Sequence, residues 1–218
     1  MVKRKSSNRS TQAERSESTR AALLSAARDL FAVHGYAGAS AETIVAAAGV
    51  TRGALQHHFV DKRSLFLAVY EQVESEVVAT TAEAGMTAGH DDPLAVLRAG
   101  CHAYLDAMLD PAVQRICAID GPAVLSPETR NEITDRYAFG LVRDTVQEAV
   151  DRGEIDEAPV EPLTRMLLAA VMAAAQFVAT APDPLSARAD AGKTVDLLLN
   201  LRRVPEARQR APAKQRPE

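Results

Sequence analysis

The sequence predicts an all-α protein with two helical regions, an N-terminal unit of three helices and a longer helical C-terminal region. Apolar residues recur at the spacing of amphipathic helices through most of the chain. Prolines stand at the start of several periodic segments, where the first turn of a helix accepts them. No run alternates between apolar and polar residues long enough to indicate a sheet. The 218 residues are sufficient for a sizeable buried core.

The N-terminal unit opens with a polar, basic stretch and a first helix. Residues 1–16 have almost nothing apolar to bury, so they are predicted to form a disordered arm, with a merely solubilising tail as the alternative. The first helix ends near Gly35, and Glu17 in its first turn opposes the positive end of the helix dipole. Its apolar stripe consists of Leu23, Ala27, Leu30 and Phe31.

Residues 40–59 predict two short helices joined by a tight turn. Ser40 is the predicted N-cap of the first of these helices. Gly49 follows the last periodic residue, where a left-handed backbone position commonly closes a helix. The narrow apolar face between them consists of Ile44, Ala47 and Ala48.

The second short helix starts after Thr51, its predicted N-cap, and would bury Leu55 and Phe59. Two helices with this turn form a helix-turn-helix motif, which presents its second helix to DNA. Gly53 leaves the backbone bare where a nucleic acid could approach closely. The exposed face would carry hydrogen-bond donors for phosphates or base edges, namely Arg52, Gln56, His57 and His58.

The charge distribution also separates the two regions. Residues 1–63 hold ten Lys and Arg against five Asp and Glu, whereas residues 64–218 hold fifteen against twenty-four. The overall charge of −4 therefore conceals a basic head and an acidic body. A basic head suits a polyanionic partner, and the acidic body argues against nonspecific coating of nucleic acid.

At these residues the chain resembles a known family. The segment from Ser18 to Val73 is similar to the DNA-binding domain of the TetR family of bacterial repressors. The similarity runs through the end of helix one at Phe31 and Gly35, the AAAGVTRG turn, the pair His58-Phe59, and Lys62 at the start of a fourth helix. The remaining chain resembles, more weakly, the family's all-helical C-terminal regulatory domain, including the DGPAVL stretch at 120–125.

The resemblance implies a sequence-specific DNA-binding transcriptional regulator, a repressor released from its operator by a small molecule. Arg52 would make a bidentate contact with guanine, and His58 and Lys62 would lie on phosphates. An ordinary solvated lysine and a partly buried histidine are the alternatives for those last two. Many relatives have tyrosine in place of Gln56, so that contact is lost or made by an amide. The implied DNA contacts are Ser40, Thr51, Arg52, Gly53, Gln56, His57, His58 and Lys62.

The rest of the chain is predicted to be helical as well. Asp61 caps the fourth helix, and residues 85–93 break the pattern after it. The predicted domains are an arm at 1–16, the helix-turn-helix domain at 17–77, a regulatory and dimerisation domain at 78–204, and a disordered tail at 205–218. Five further helices are expected at 93–109, 111–119, 127–152, 160–181 and 184–203.

Two apolar seams in the last long helices predict a homodimer. In the family these helices pair across a two-fold axis, which implies an operator with inverted half-sites. The alternative is that the seams form core within one chain. The seam residues are Met166, Ala170, Ala174, Val195, Leu198 and Leu199.

The middle helices supply candidates for a ligand pocket. Their faces carry few charges, so the expected effector is a mainly apolar small molecule with one or two polar groups. Ordinary core packing is the alternative for each residue. The candidates are Cys101, Tyr104, Leu105, Met108, Tyr137, Leu141 and Phe177.

The remaining sequence patterns mainly argue against a metal site, a membrane span and a catalytic site. Cys101 and Cys117 lack metal-finger spacing, and no signal segment opens the chain, so a reduced cytoplasm is expected, with no metal and no cofactor. Residues 166–181 are shorter than the roughly 20 residues of a membrane span. No catalytic constellation can be assembled, so no enzyme is expected. Two alternatives stay open: a redox sensor using the two cysteines, and a ligand-binding or interaction protein for which DNA is incidental.

Overall fold

The structure, a computed structural model, describes residues 5–89 and 91–200, with side chains from residue 12 onward. Within these ranges every regular element is helical, which confirms the predicted all-α fold. Two π-helical stretches interrupt the α-helices, Gln114–Asp120 between α6 and α7 and Asp135–Phe139 between α8 and α9. The α-helices are α1 (Lys5–Gly38), α2 (Ala41–Ala48), α3 (Arg52–His58), α4 (Lys62–Ala88), α5 (Pro93–Ala107), α6 (Pro111–Val113), α7 (Gly121–Val124), α8 (Pro127–Thr134), α9 (Gly140–Asp151), α10 (Val160–Thr180) and α11 (Pro184–Asn200).

Helix α1 begins at Lys5, so the prediction of a disordered arm is wrong for residues 5–16. Residues 5–34 contain neither proline nor glycine, and nothing in them ends a helix. The helical path breaks at Gly35, whose φ of 69° and ψ of 171° require a glycine. The remainder of the predicted arm, residues 1–4, and the predicted tail at 205–218 lie outside the described residues.

The predicted caps of the helix-turn-helix are confirmed. The Ser40 hydroxyl accepts a hydrogen bond from the Thr43 amide at 3.1 Å, and Thr51 accepts one in the same way from Ala54 at 3.2 Å. Gly49 is left-handed, with φ 65° and ψ 28°. These local interactions fix where α2 ends and where α3 starts.

Helix α4 joins the two regions. Its predicted apolar stripe is buried throughout, and Phe66 packs edge-on against Phe31 of α1 with ring centroids 5.2 Å apart. The helix crosses the predicted domain boundary at 77 and continues through Gly85, where a break was predicted. Gly85 is instead the point where α5 approaches, because a Cβ there would lie 3.1 Å from Val96. The buried stripe consists of Leu65, Phe66, Val69, Tyr70, Val73 and Val77.

Helix α10 is long and apolar enough, by length and composition alone, to cross a membrane. The core helix of a soluble protein meets the same criterion. Here α10 packs against α5, α9 and α11, with one face buried at Val171, Ala175 and Val178. Most of its apolar window is nevertheless not buried within this chain, which leaves an apolar face uncovered.

Candidate DNA-binding surface and ligand cavity

Helix α3 is held by its two apolar residues and exposes its polar ones. Leu55 and Phe59 are buried in the head core, as predicted. On the opposite side Arg52, Gln56 and His57 are exposed, and His58 is half-buried. The structure therefore brings the predicted contact residues of α3 onto one exposed surface.

Arg52 is an exposed positive charge on this surface. Its Nη1 lies 3.3 Å from Oε1 of Glu42 on α2, and both side chains are about two-thirds exposed or more, at 71% and 66%. Exposed ion pairs of this kind contribute little to stability. The guanidinium can therefore leave Glu42 for a base edge or a phosphate at small cost.

Packing among the described residues does not require a glycine at position 53. A Cβ at this position would meet only the Thr51 hydroxyl, at 3.9 Å, and the residue is exposed inside a regular helix. The bare backbone therefore faces outward, where a close external partner would benefit from it.

The N-terminal extension of α1, for which the sequence predicts an arm at residues 1–16, lies beside α3. Gln12, Arg15 and Thr19 line a shallow groove whose other wall includes His57 and His58. Arg15 adds a positive charge next to the recognition helix. The absence of helix breakers before Gly35 was the signal that could have indicated this extension.

Lys62 does not lie free at the predicted phosphate position. Its ammonium donates to the carbonyl oxygens of Tyr36 at 2.9 Å and Ala39 at 3.1 Å, and it lies 4.2 Å from the centroid of the Tyr36 ring. These bonds satisfy backbone acceptors at the end of α1. Lys62 therefore ties α4 to α1, a role that neither the phosphate contact nor the solvated alternative anticipated.

Replacing Lys62 by alanine should lower the free energy of unfolding by about 1–3 kcal/mol, because two carbonyl groups lose a charged donor. Urea unfolding followed by circular dichroism measures this loss. Lys193→Ala is the matched control, since that exposed lysine pairs with Asp190 one turn earlier. A variant with parental stability, whose slope of log DNA affinity against log salt concentration is reduced by about one, would instead indicate that Lys62 contacts a phosphate.

A second candidate site is a cavity of about 360 Å³ inside the C-terminal region. Helices α4, α5, α8, α9 and α10 and the second π-helical stretch line it, and its wall is mostly apolar. Four of the predicted pocket residues line it: Cys101, Tyr104, Tyr137 and Leu141. This volume suits a small organic molecule.

The other three predicted pocket residues do not line this cavity. Leu105 and Met108 are fully buried in the core formed by α5, α10 and α11. Phe177 is 55% exposed on the outer face of α10. The prediction failed for these residues since helical spacing alone does not reveal which neighbouring helix an apolar face meets.

The cavity wall carries a carboxyl group that the sequence analysis missed. Glu74 on α4 lies among apolar lining residues, and burial raises the pKa of its carboxyl. Hydrogen bonds from Tyr70 and Cys117 oppose this shift. The signal in the sequence was a glutamate that adjoins the buried α4 stripe at Val73 and Val77.

The two cysteine thiols are poorly suited to redox sensing. Burial raises the pKa of Cys101 to about 11 and raises that of Cys117 as well. Since the thiolate is the reactive form, both shifts disfavour oxidation chemistry. Among the described residues, no cluster of three His, Cys, Asp or Glu is placed to hold a metal ion.

A second connection joins the cavity region to the head. The buried Asp120 carboxylate accepts hydrogen bonds from the Tyr36 amide at 2.6 Å and from Arg115 Nε at 3.2 Å. The guanidinium of Arg115 packs directly over Gly35, where any side chain would collide with it. Cys117 of the same π-helical stretch contacts Glu74. The end of α1 is therefore also linked, through the first π-helical stretch, to Glu74 on the cavity wall.

The predicted dimer seams divide into exposed and buried residues. Met166 is 70% and Leu198 46% exposed, and Ala170 is half-buried, so these three remain available. Val195 is 3% exposed and belongs to the core of its own chain, which corrects the prediction. Ala174 and Leu199 pack partly against that same core. Further apolar residues that are exposed on α10 and α11 are Phe177, Leu185 and Leu197.

A helix-turn-helix with an exposed polar recognition helix, carried on an all-helical body, defines a class of DNA-binding proteins. A family model for bacterial regulatory proteins of the tetR family matches residues 23–69. A model for the tetracyclin repressor-like C-terminal domain matches residues 94–201. The chain belongs to the TetR family of bacterial transcriptional regulators.

Individual relatives agree with this assignment. A TetR-family transcriptional regulator from Pectobacterium atrosepticum has a solved structure that superposes with a TM-score of 0.75 at 31% identity, over 87% of this chain and 96% of that one. The transcriptional repressor AcnR of Corynebacterium efficiens is 41% identical over 68 residues, 31% of this chain and 36% of AcnR. The regulator AcrR of Shigella flexneri is 41% identical over 90 residues, 41% of each chain.

Proposed function

We propose that this protein is a cytoplasmic transcriptional repressor that binds an operator as a homodimer and leaves it when a small molecule enters the cavity. The observation that carries the proposal is that one chain combines an exposed recognition helix with an apolar cavity of about 360 Å³, joined by the continuous helix α4. The exposed helix is suited to binding DNA, and the cavity is suited to binding an effector. Helix α4 provides a physical connection between the two sites.

The DNA contact rests on the exposed face of α3. Arg52 is available for bidentate hydrogen bonding to guanine, and Gln56 and His57 are exposed farther along the helix. Gly53 allows the backbone to approach the duplex closely. The positive charge of residues 1–63 favours the polyanion, and the acidic body restricts the contact to this end.

The homodimer rests on the uncovered apolar face of α10 and α11. Monomeric soluble proteins rarely expose contiguous apolar patches of this kind without a partner. A second copy supplies a complementary surface, because a two-fold interface matches the same patch to itself. Two recognition helices related by that axis require an operator with inverted half-sites.

Release by the effector rests on the two connections between cavity and head. A ligand between α4 and the second π-helical stretch favours one arrangement of these elements over another. Helix α4 and the Asp120–Tyr36 hydrogen bond then carry the change to the end of α1 and to α3. The coupling free energy is typically about 1–3 kcal/mol. By linkage, bound DNA must lower the affinity for the ligand by the same factor by which the ligand lowers the affinity for DNA.

Replacing Arg52 by alanine should weaken operator binding by about 1–3 kcal/mol and relax the preference at one base pair of each half-site. The fold should keep its stability, because the contact of Arg52 among the described residues is an exposed ion pair. Fluorescence anisotropy with the operator and with single-base variants of it measures both effects.

Arg143→Ala is the matched control, since that exposed arginine of α9 pairs with its neighbour Asp144 far from the head. Parental affinity and parental base preference in the Arg52 variant would show that Arg52 does not contact the operator.

An interaction protein for which DNA binding is incidental is the rival function. Binding driven by phosphate contacts falls steeply as ionic strength rises, and it must also depend on DNA sequence if an operator is recognised. Weak binding without sequence preference across a salt titration would favour the rival.

A further inference from the structure

We propose that the cavity selects a lipophilic cation, an apolar molecule carrying a protonated amine, which Glu74 binds through its carboxylate. This inference deepens the proposed function and rests on it only for the consequence of binding, because binding itself can be measured without DNA. The carrying observation is the carboxyl group of Glu74 on a mostly apolar cavity wall that has no basic side chain.

The composition of the wall argues first against an anionic ligand. Its 23 residues include two carboxylates, Glu74 and Glu148, and no lysine, arginine or histidine. A carboxylate or phosphate ligand would therefore enter a weakly solvated space whose wall offers it carboxyl groups and no basic side chain, which is strongly unfavourable. A cation meets the opposite situation.

The two carboxylates have different roles. Glu148 lies at the exposed end of the cavity and is already paired with Arg152 at 2.5 Å. Glu74 has no Lys, Arg or His within ion-pair distance among the described residues. Arg130 lies near enough to lower the pKa of Glu74, but it does not line the cavity. The acidic group on the wall that has no ion-pair partner among the described residues is therefore Glu74.

The groups around Glu74 favour its carboxylate when a cation arrives. Tyr70 and Cys117, which belong to the neighbouring core, act on the carboxyl by hydrogen bonding in the direction that lowers its pKa and so favours the carboxylate. The ring of Tyr104 also faces the cavity, and that of Tyr137 is fixed by a hydrogen bond from its hydroxyl to Glu71 at 2.9 Å. Aromatic faces attract organic cations, so an ammonium group near Glu74 gains a second favourable contact.

The apolar part of the ligand would occupy the remaining wall. Val78, Leu97, Leu168 and Val171 offer aliphatic surface on three helices. Met86 and Leu141, 57% and 53% exposed, lie on the same wall nearer to solvent and can adjust to ligands of different shape. A single ring system with a short aminoalkyl chain fits a cavity of about 360 Å³.

Three probes with one 4-(naphthyl)butyl body test the inference: the primary amine, the alcohol and the carboxylic acid. Isothermal titration calorimetry with the full chain, without DNA, should show the amine binding at least about tenfold more tightly than the alcohol, with the acid weakest. Glu74→Gln should remove the advantage of the amine and leave the affinity for the alcohol within about threefold. Glu83→Gln removes the same charge from an exposed site on α4 and should change neither.

Equal affinity of the parent for amine and alcohol, or an amine advantage that survives in Glu74→Gln, would overturn the inference. The probe series on the parent decides this even if the variant is poorly folded. Operator binding is measured separately, so failure here leaves the proposed repressor function standing. If the parent protein bound no operator, the proposed function would be refuted, and the result of the probe series would be unchanged.

Discussion

Phe177→Glu should convert the protein to a monomer and reduce its operator affinity by at least about a hundredfold. Phe177 is 55% exposed on α10 and lies on the uncovered apolar face, so the substitution places a charge within the proposed interface. A dimer holds its second recognition helix near the second half-site at high effective concentration, and this advantage typically amounts to about 10²–10⁴ in affinity. Sedimentation at micromolar concentration gives the mass, and operator titration gives the affinity.

Thr87→Glu provides the control, because it adds the same charge at an exposed position near the end of α4. It should remain a dimer and bind the operator as the parent does. A Phe177→Glu variant that keeps both a dimeric mass and parental affinity would place the interface elsewhere.

Leu105→Ala should lower the free energy of unfolding by about 2–5 kcal/mol, because Leu105 is fully buried in the core of α5, α10 and α11. The matched substitution Leu141→Ala should cost less than about 1 kcal/mol, since Leu141 is 53% exposed on the cavity wall. Chemical denaturation of both variants measures the difference.

The same pair separates core from cavity in a binding experiment. Binding of the neutral dye Nile red, measured by fluorescence, should change in Leu141→Ala and should stay near the parental value in folded Leu105→Ala. Equal stability losses in the two variants would contradict the assignment of Leu105 to the core and Leu141 to the cavity.

The helix-turn-helix could be predicted from the sequence because local interactions determine it. Ser40, Gly49 and Thr51 each cap a helix end through contacts with residues a few positions away. The limits of α2 and α3 therefore depend on neighbouring residues in the sequence. The stripe of α4 was equally predictable, since one regular period continues without interruption. Polar residues 5–16 were different, because their composition is compatible with both a solvated helix and an arm.

Interactions between distant segments account for the errors. Lys62 reaches carbonyl groups of residues 36 and 39, which no local pattern connects to it. Tyr104 and Leu105 are neighbours in α5, yet one lines the cavity and the other lies in the core. The π-helical stretches at 114–120 and 135–139 also shift which residues face inward, because their i→i+5 bonding departs from the 3.6-residue period used in prediction.

Recovery of bound DNA from a random duplex pool, using the full chain, tests the central claim most directly. The proposed repressor should enrich one sequence with two inverted half-sites, and its affinity should fall steeply with increasing salt. Repeating the selection with Arg52→Ala should relax the same base pair in both half-sites. A pool that shows no enriched sequence, or an enriched sequence without two-fold symmetry, would contradict the account.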